Sequence, residues 1–505
     1  EWLTLERQRL HNAAVRILER LAEVETGDAR IAAAQRLVQL DPLREASHRA
    51  LMRAHAALGD KGSALKQFET CQNLLRAELG VEPSRETAEL RDQISATVRD
   101  LSDRTFPGHQ EASIHDASCR IAVLPFLNLS GDPDQEYFAD GLTEDIITDI
   151  SNLPGCFVIA RNSAFVYKGK PTDIRQIARD LEVRYILEGS ARRAGQRLRV
   201  NVQLIDAVGG GAHIFAERFD REIIEIFAVQ DEITRRVVET VTGRLTSSPI
   251  VERRRPTNME AYDLCVSARS LMHQSKSGNI ESRALLETAI ALEPDYCEAH
   301  WRLAENLGAG YLVWSEPPEP IRRRALMHAS RAVCLDPKDA NAHAILGTTL
   351  HYEGRWDEAE DCFDTAIRLN PNNAEILAKL SDFKYLSGEP HEAIECALKA
   401  LRLDPHPPGF IYWFLGSAQV AAGKYEDAVL TLKREETYRT TSRRDLCVAL
   451  VKLGRISEAR DEARLFLLSN PDWRISTTFE VEAVYKNPDD KQFWIDGFRA
   501  AGLPD

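Results

Sequence analysis

The chain has 505 residues, 44% of them hydrophobic and 28% charged, with a formal net charge of −14. This length is too great for one hydrophobic core and points to about three domains, while the composition excludes wholesale disorder. A net negative chain is not, as a whole, a nucleic-acid-binding surface, because a phosphate backbone needs a basic face. Nine scattered cysteines without a C-x-x-C pair argue against a disulfide framework or zinc site and predict a reduced, cytoplasmic protein. No apolar run reaches the ~18 residues of a membrane span and no signal peptide opens the chain, so no membrane contact is expected.

Residues 1–100 read as nearly continuous helix. Leu10, Ala13, Ala14, Ile17, Leu18 and Leu21 form an apolar stripe at helical spacing. Asp41-Pro42 separates one helix from the next, and Gly59-Asp60 and Gly80 end two more. Residues 101–118 lose all periodicity and read as a linker, in which His109 and His115 lack a third ligand for a metal.

Residues 119–245 switch to a mixed α and β pattern. Strands are predicted at Ile121–Phe126, Phe157–Ala160, Tyr185–Ser190, Leu198–Ile205 and His213–Phe219. Helices are predicted at Phe138–Leu153, around Ile174–Leu181, and at Ile223–Leu245. Ala194-Gly195-Gln196 and Gly209-Gly210-Gly211 supply turns. A second linker follows at 246–258.

From 259 to 471 the chain repeats. Asp336-Pro337, Asn370-Pro371 and Asp404-Pro405 stand 34 residues apart. Leu346-Gly347, Gly354, Ala359, Phe363 and Ala366 fall where two short antiparallel helices need small or apolar residues. About six such units are expected. Their period is that of tetratricopeptide repeats, whose stacked hairpins make a concave surface for a partner. The second unit is longer, and its surplus, Ser315 to Pro320, is expected to be a protruding loop. Residues 472–505, with Trp473, Phe479, Phe493, Trp494, Ile495 and Phe498, read as a cap over the last repeat.

No phosphate loop, nucleophile elbow or H-E-x-x-H motif is present, so neither an enzyme nor a cofactor is expected. Glu144, Asp145 and Asp149 are spaced as a solvated helix face. Arg192, Arg193, Arg197 and Arg199 read as a solvated hairpin tip, and Arg253-Arg254-Arg255 as a solvated linker.

Three segments resemble known bacterial modules. Glu1-Trp-Leu-Thr-Leu-Glu-Arg-Gln-Arg-Leu10, Leu40-Asp-Pro-Leu-Arg-Glu-Ala-Ser-His-Arg49 and Leu75-Arg-Ala-Glu-Leu-Gly-Val-Glu-Pro-Ser84 are similar to the bacterial transcriptional activator domain of the Streptomyces antibiotic regulatory protein family. Ile121-Ala-Val-Leu-Pro-Phe-Leu-Asn-Leu-Ser-Gly-Asp-Pro133, Tyr137-Phe-Ala-Asp-Gly-Leu-Thr-Glu144 and Tyr185-Ile-Leu-Glu-Gly-Ser190 resemble a TolB-like amino-terminal module. The resemblances imply a multidomain chain: an all-α TPR-like domain, an α+β TolB-like domain and an all-α tetratricopeptide superhelix. They also imply a transcriptional regulator whose winged-helix DNA-binding domain would precede Glu1, so that DNA would be bound only through that domain. RNA polymerase and a second protomer are the partners implied for residues 1–100, and a protein or peptide for the repeat groove.

Two candidate sites follow. Asn128, Ser130, Asp140 and Gly141 are expected to converge after the first strand as a ligand site. By helix phase, Asn341, Thr348, His351, Glu375, Asp382, Tyr385 and Trp413 are expected to face the groove, with the two aromatics as anchors or as packing between units. An interaction scaffold and an accessory region of a nucleotide cyclase are the competing readings.

Overall fold

Two units make up the chain, Glu1–Ile114 and His115–Asp505. The computed structural model describes residues 34–38, 44–57 and scattered positions from 64 to 91, then 119–242 and 255–505 apart from 133–134, 154–155, 171, 210, 273–274, 313–315, 317, 435–436, 438–441 and 480–483. The Glu1–Leu10 segment, the first apolar stripe, His109, His115 and Arg253-Arg254 lie outside the described residues.

In the first unit, helix α1 (Glu45–Ala57) buries two faces. Leu51 and Ala54 pack with Ala34 and Leu37, and Met52 packs with Ala64, Phe68 and Leu90. Its first residue, Glu45, accepts hydrogen bonds from Ser84 N–H at 2.8 Å and from the hydroxyls of Ser84 and Thr87, each at 2.6 Å. Burial opposes the Glu45 charge, but these donors prevail and lower its pKa.

The second unit opens with a mixed sheet: β1 (Cys119–Val123), β2 (Leu127–Asn128), β3 (Cys156–Val158), β4 (Tyr185–Ala194), β5 (Arg197–Asp206) and β6 (Ala212–Glu222). The order is β3-β1-β4-β5-β6, parallel across β3, β1 and β4 and antiparallel beyond, with β2 beside β4. The helices are α2 (Glu136–Ser151), α3 (Arg161–Phe165), α4 (Ile174–Asp180) and α5 (Ile226–Thr242). Strand alternation sends Ile121 and Val123 to a core with α2 and α5, and Ala122 to a core with α4.

Among the described residues, six helical hairpins follow: α6 (Met259–Leu271) with α7 (Lys276–Leu292), α8 (Cys297–Leu312) with α9 (Pro318–Leu335), α10 (Ala340–Tyr352) with α11 (Trp356–Leu369), α12 (Ala374–Leu386) with α13 (Pro390–Leu403), α14 (Gly409–Ala421) with α15 (Tyr425–Leu432), and α16 (Ser442–Lys452) with α17 (Ile456–Ser469). Helix α18 (Pro488–Ala501) ends the chain. The period has a local cause. Asp339 and Asn373 sit two residues after the periodic prolines and cap α10 and α12 by accepting from two backbone N–H groups each. Gly354, Gly388 and Gly423 turn the chain at φ of +72°, +93° and +74°. Phe363 packs on Gly347, where a Cβ would stand 3.0 Å from its ring.

The surplus in the second hairpin does not form the expected loop throughout. It lengthens the helices to 16 and 18 residues in α8 and α9, and Pro318 opens α9. Glu316 is pinned to Arg283 of α7 by two contacts of 2.9 Å. The first helices of successive hairpins pack directly on one another, which sets them on the inner side of the array.

Candidate functional site

The inner side of the hairpins is where the mixed domain sits, and helix α2 supplies the charged contacts. Asp145 is buried and accepts from Gln230 at 2.9 Å, Tyr262 Oη at 2.8 Å and Arg269 Nη1 at 2.8 Å. Gln230 belongs to α5, whereas Tyr262 and Arg269 belong to the first hairpin. Arg269 also bonds Glu298 of α8 through Nη2. Glu144 accepts from Arg302 of α8 at 2.9 Å and lies 3.1 Å from Arg161 of α3. Asp149 pairs with Arg255 at 2.7 Å, and Arg255 reaches Asp231 at 3.0 Å.

The acidic face read as solvated is therefore buried in a seam. Arg255 and Arg193 are not free either, since Arg193 pairs with Asp263 of α6 at 2.8 Å. Around these charges Tyr262 meets Phe227 edge-on at 5.2 Å, and Gly141 lets Val266 of α6 lie against α2. Packing leaves a void of about 10 Å³ beside Asp145, Tyr262 and Glu298, roughly room for one water.

The far end of the seam is built from the residues that precede the periodic prolines. Asn370 donates to Ser151 Oγ at 2.9 Å and to Asn152 Oδ1 at 2.8 Å. Asp404 accepts from Ser163 N–H at 3.1 Å, Ser163 Oγ at 2.5 Å and Asn162 at 3.2 Å. Burial raises the Asp404 pKa, against the pull of Ser163 and Asn162. Ala160 N–H, two residues beyond β3, donates at 2.9 Å to the C=O of Leu403, the last residue of α13. Phe157 and Ala160 pack with Leu377, Leu403 and Ile411.

The four residues expected after the first strand do not converge. Asn128 turns the backbone, donating to Asp132 C=O at 2.8 Å and accepting from Ser130 N–H at 2.9 Å. Ser130 Oγ accepts from Arg193 N–H at 3.1 Å. Asp140 pairs with Lys168 at 2.5 Å while its neighbour Gly141 faces α6, since consecutive helix residues point ~100° apart.

The seven groove residues divide. Asn341 accepts from Asn373 at 3.3 Å, Thr348 donates to Ala344 C=O at 2.9 Å, and Glu375 is exposed on the first turn of α12. His351 is fully buried among Tyr352, Trp356 and Phe383, with Nε2 3.8 Å from Asp382. Burial lowers its pKa to about 3. Asp382 accepts from Tyr352 Oη at 3.1 Å, and burial raises its pKa to about 7.

Asp382, Tyr385 and Trp413 do come together, around Tyr485 from the segment before α18. Trp413 Nε1 and Ser417 Oγ donate to Asp445 Oδ2 at 2.7 and 2.6 Å. Tyr485 meets the Tyr385 ring edge-on at 6.2 Å, and Lys486 N–H donates to Leu386 C=O at 3.0 Å. Sequence reasoning had no access to Arg269, Ser163, Asp404 or Tyr485 as site residues. Among the described residues, no group of His, Cys, Asp and Glu is placed to hold a metal ion, and no helix is long and apolar enough to cross a membrane.

Residues 1–95 match the bacterial transcriptional activator domain. Residues 117–236 match the family described as HilA/YgeH-like transcriptional regulator, second domain, over the region that resembles a TolB-like module. Residues 340–373 and 374–407 match tetratricopeptide repeats. A protein of Rhizobium meliloti (strain 1021) named "Putative adenylate cyclase 3" is 45% identical over 244 residues, 48% of this chain and 41% of the relative. The chain thus spans about two fifths of the curated relative it matches.

Among solved structures, YrrB, described as a TPR protein with an unusual peptide-binding site, is 17% identical, covering 37% of this chain and 93% of its own, with a TM-score of 0.27. Pseudomonas aeruginosa pilF is 18% identical, covering 42% and 90%, with a TM-score of 0.31. The chain thus joins a bacterial transcriptional activator domain, a HilA/YgeH-like regulator domain and tetratricopeptide repeats, the domain set of a transcriptional regulator similar to the Streptomyces antibiotic regulatory proteins.

Proposed function

We propose that the chain is the signal-receiving part of a bacterial transcriptional regulator, without catalytic activity of its own and working in the cytoplasm. The activator-domain match carries the transcriptional half of this reading. The buried seam around Asp145 and Arg269 carries the signalling half. A ligand or partner activates such a protein only by favouring one arrangement of its domains over another, and the closed seam of paired charges is one such arrangement.

In this reading the repeats hold a protein or peptide, and residues 1–95 engage RNA polymerase or a second protomer. Promoter DNA is read by a winged-helix domain carried outside residues 1–505. The limits expected from the sequence, with domains at 1–100, 119–245 and 259–471, are proposed as the units that move. The test is salt-sensitive, sequence-selective promoter binding by the full-length protein, compared between wild type and Arg269→Ala. Loss of promoter preference in wild type defeats the transcriptional half. An unchanged transcriptional response in an R269A variant shown to have an open seam defeats the signalling half.

The relative's printed name favours a second reading, an accessory region of a nucleotide cyclase. Cyclase activity in the full-length protein, abolished by a lesion outside residues 1–505, would select it.

A further inference from the structure

Between successive hairpins the chain uses four or five residues at 293–296, 336–339, 370–373 and 404–408, and nine at 433–441. Between α17 and α18 it spends eighteen, 470–487. That surplus carries Tyr485 and Lys486 onto the inner helices α12, α14 and α16. We propose that this inner face is a receptor for a tyrosine on an extended segment, that Tyr485 occupies it in cis, and that a partner presenting an unmodified tyrosine competes for the same place.

Two features of the receptor stand on geometry. Leu386 ends α12, where the last carbonyls lack an intrahelical donor, and Lys486 N–H supplies one at 3.0 Å. This contact reads backbone and accepts any extended segment. The second feature reads the side chain. The rings of Tyr385 and Tyr485 meet in a T-shaped pair, and Trp413, Ser417 and Arg444 fix the Asp445 carboxylate by donating at 2.7, 2.6 and 3.1 Å. Asp382 stands three residues before Tyr385 on α12.

Asp382, Asp445 and Ser417 are buried at 6%, 3% and 1% exposure on inner helices. Burial, followed by the Asp445 charge, raises the Tyr485 phenol pKa. A phosphate on the same oxygen would bring close to two negative charges towards Asp382 and Asp445. The receptor therefore takes tyrosine and rejects phosphotyrosine.

The inference rests on the repeats being a partner-binding array and is independent of the transcriptional reading, so either can fail alone. The test uses the 505-residue chain as wild type, Tyr485→Ala and Lys486→Pro. The probe is a fluorescein-labelled peptide of residues 484–490, Val-Tyr-Lys-Asn-Pro-Asp-Asp, followed by anisotropy. Both variants should bind it at least about tenfold more tightly than wild type, a difference of about 1.4 kcal/mol. Phosphorylating the peptide tyrosine, or replacing it with alanine, should abolish that gain.

Equal affinity for wild type and both variants overturns the proposal, as does equal binding of the phosphorylated or alanine peptide. K486P removes the backbone donor and fixes φ at that position while leaving the Tyr485 side chain in place, so it decides the matter should Y485A fail to melt cooperatively.

Discussion

Arg269 of the first hairpin reaches Asp145 of the mixed domain at 2.8 Å, with side chains only 5% and 6% exposed. Such a pair repays its desolvation poorly against an apolar pair of the same volume, but breaking it leaves a buried charge behind. Its effect is to fix one docking geometry. R269A should cost about 3–5 kcal/mol, read by urea denaturation. Replacing both partners, R269M with D145L, should recover most of the stability while loosening the choice of docking partner. Equal losses in the single and double variants would show that the pair has no such role.

The opposite end of the seam depends on Asp404 and Ser163. Ser163→Ala deletes a hydroxyl that both donates to Asp404 and accepts from His406 N–H at 2.7 Å. A loss of about 1–3 kcal/mol is expected from the unsatisfied buried partners. The measurement that locates it is amide exchange at Ala160, whose N–H bonds Leu403. Protection there should fall, while protection within α16 and α17 should hold.

How far these contacts were legible depends on their range. The hairpins are written locally: Asp339, Asn373 and Gly354 act within a few residues, so spacing alone exposes them. The strands of the mixed domain also show in alternation, although β4 runs to Ala194, beyond the expected Ser190, because β5 pairs with it to the hairpin turn. The seam is different. Glu144, Asp145 and Asp149 have the spacing of a solvated face, and only the arrival of Arg269, 124 positions away in the chain, makes Asp145 a buried anchor. Nothing local distinguishes the two cases. The same holds for Asn370 and Asp404, whose place before a proline identifies a helix end but not what lies across from it. His351 has the phase of an inner residue, yet its ring turns into the stack of Tyr352 and Phe383, where three aromatics shield it.

His351 and Asp382 should give the protein a pH dependence that cancels in part. The His351 pKa falls from 6.5 to about 3 on burial, so its contribution is present above pH 6.5 and is lost as pH falls towards 3. The Asp382 pKa rises from 3.8 to about 7, so its contribution is present below pH 3.8 and is lost as pH rises through 7. Between pH 4 and 6.5 the two run in opposite directions. Asp382→Asn should therefore leave a stability that falls with acid, and His351→Leu one that falls with base. Each limiting slope is at most about 1.4 kcal/mol per pH unit. Urea midpoints at pH 4.5, 6 and 8 decide it, and parallel profiles for the two variants would contradict the assignment.

Gly141 tests whether the seam closes by shape as well as charge. A Cβ at this position would overlap the Val266 side chain on α6, and neither helix can retreat without stretching the Asp145–Arg269 pair. Gly141→Ala should raise the helix propensity of α2 by about 1 kcal/mol and lose about 1–3 kcal/mol to overpacking at the seam. The net effect should be destabilising. Val266→Ala clears the space, so the double variant should be more stable than the sum of the two single changes by more than the 0.3–0.5 kcal/mol or so expected of independent sites. A double-mutant cycle by urea unfolding measures that coupling. If G141A alone proves stabilising, α2 and α6 are free to part, and the seam is held by its charges without the close fit.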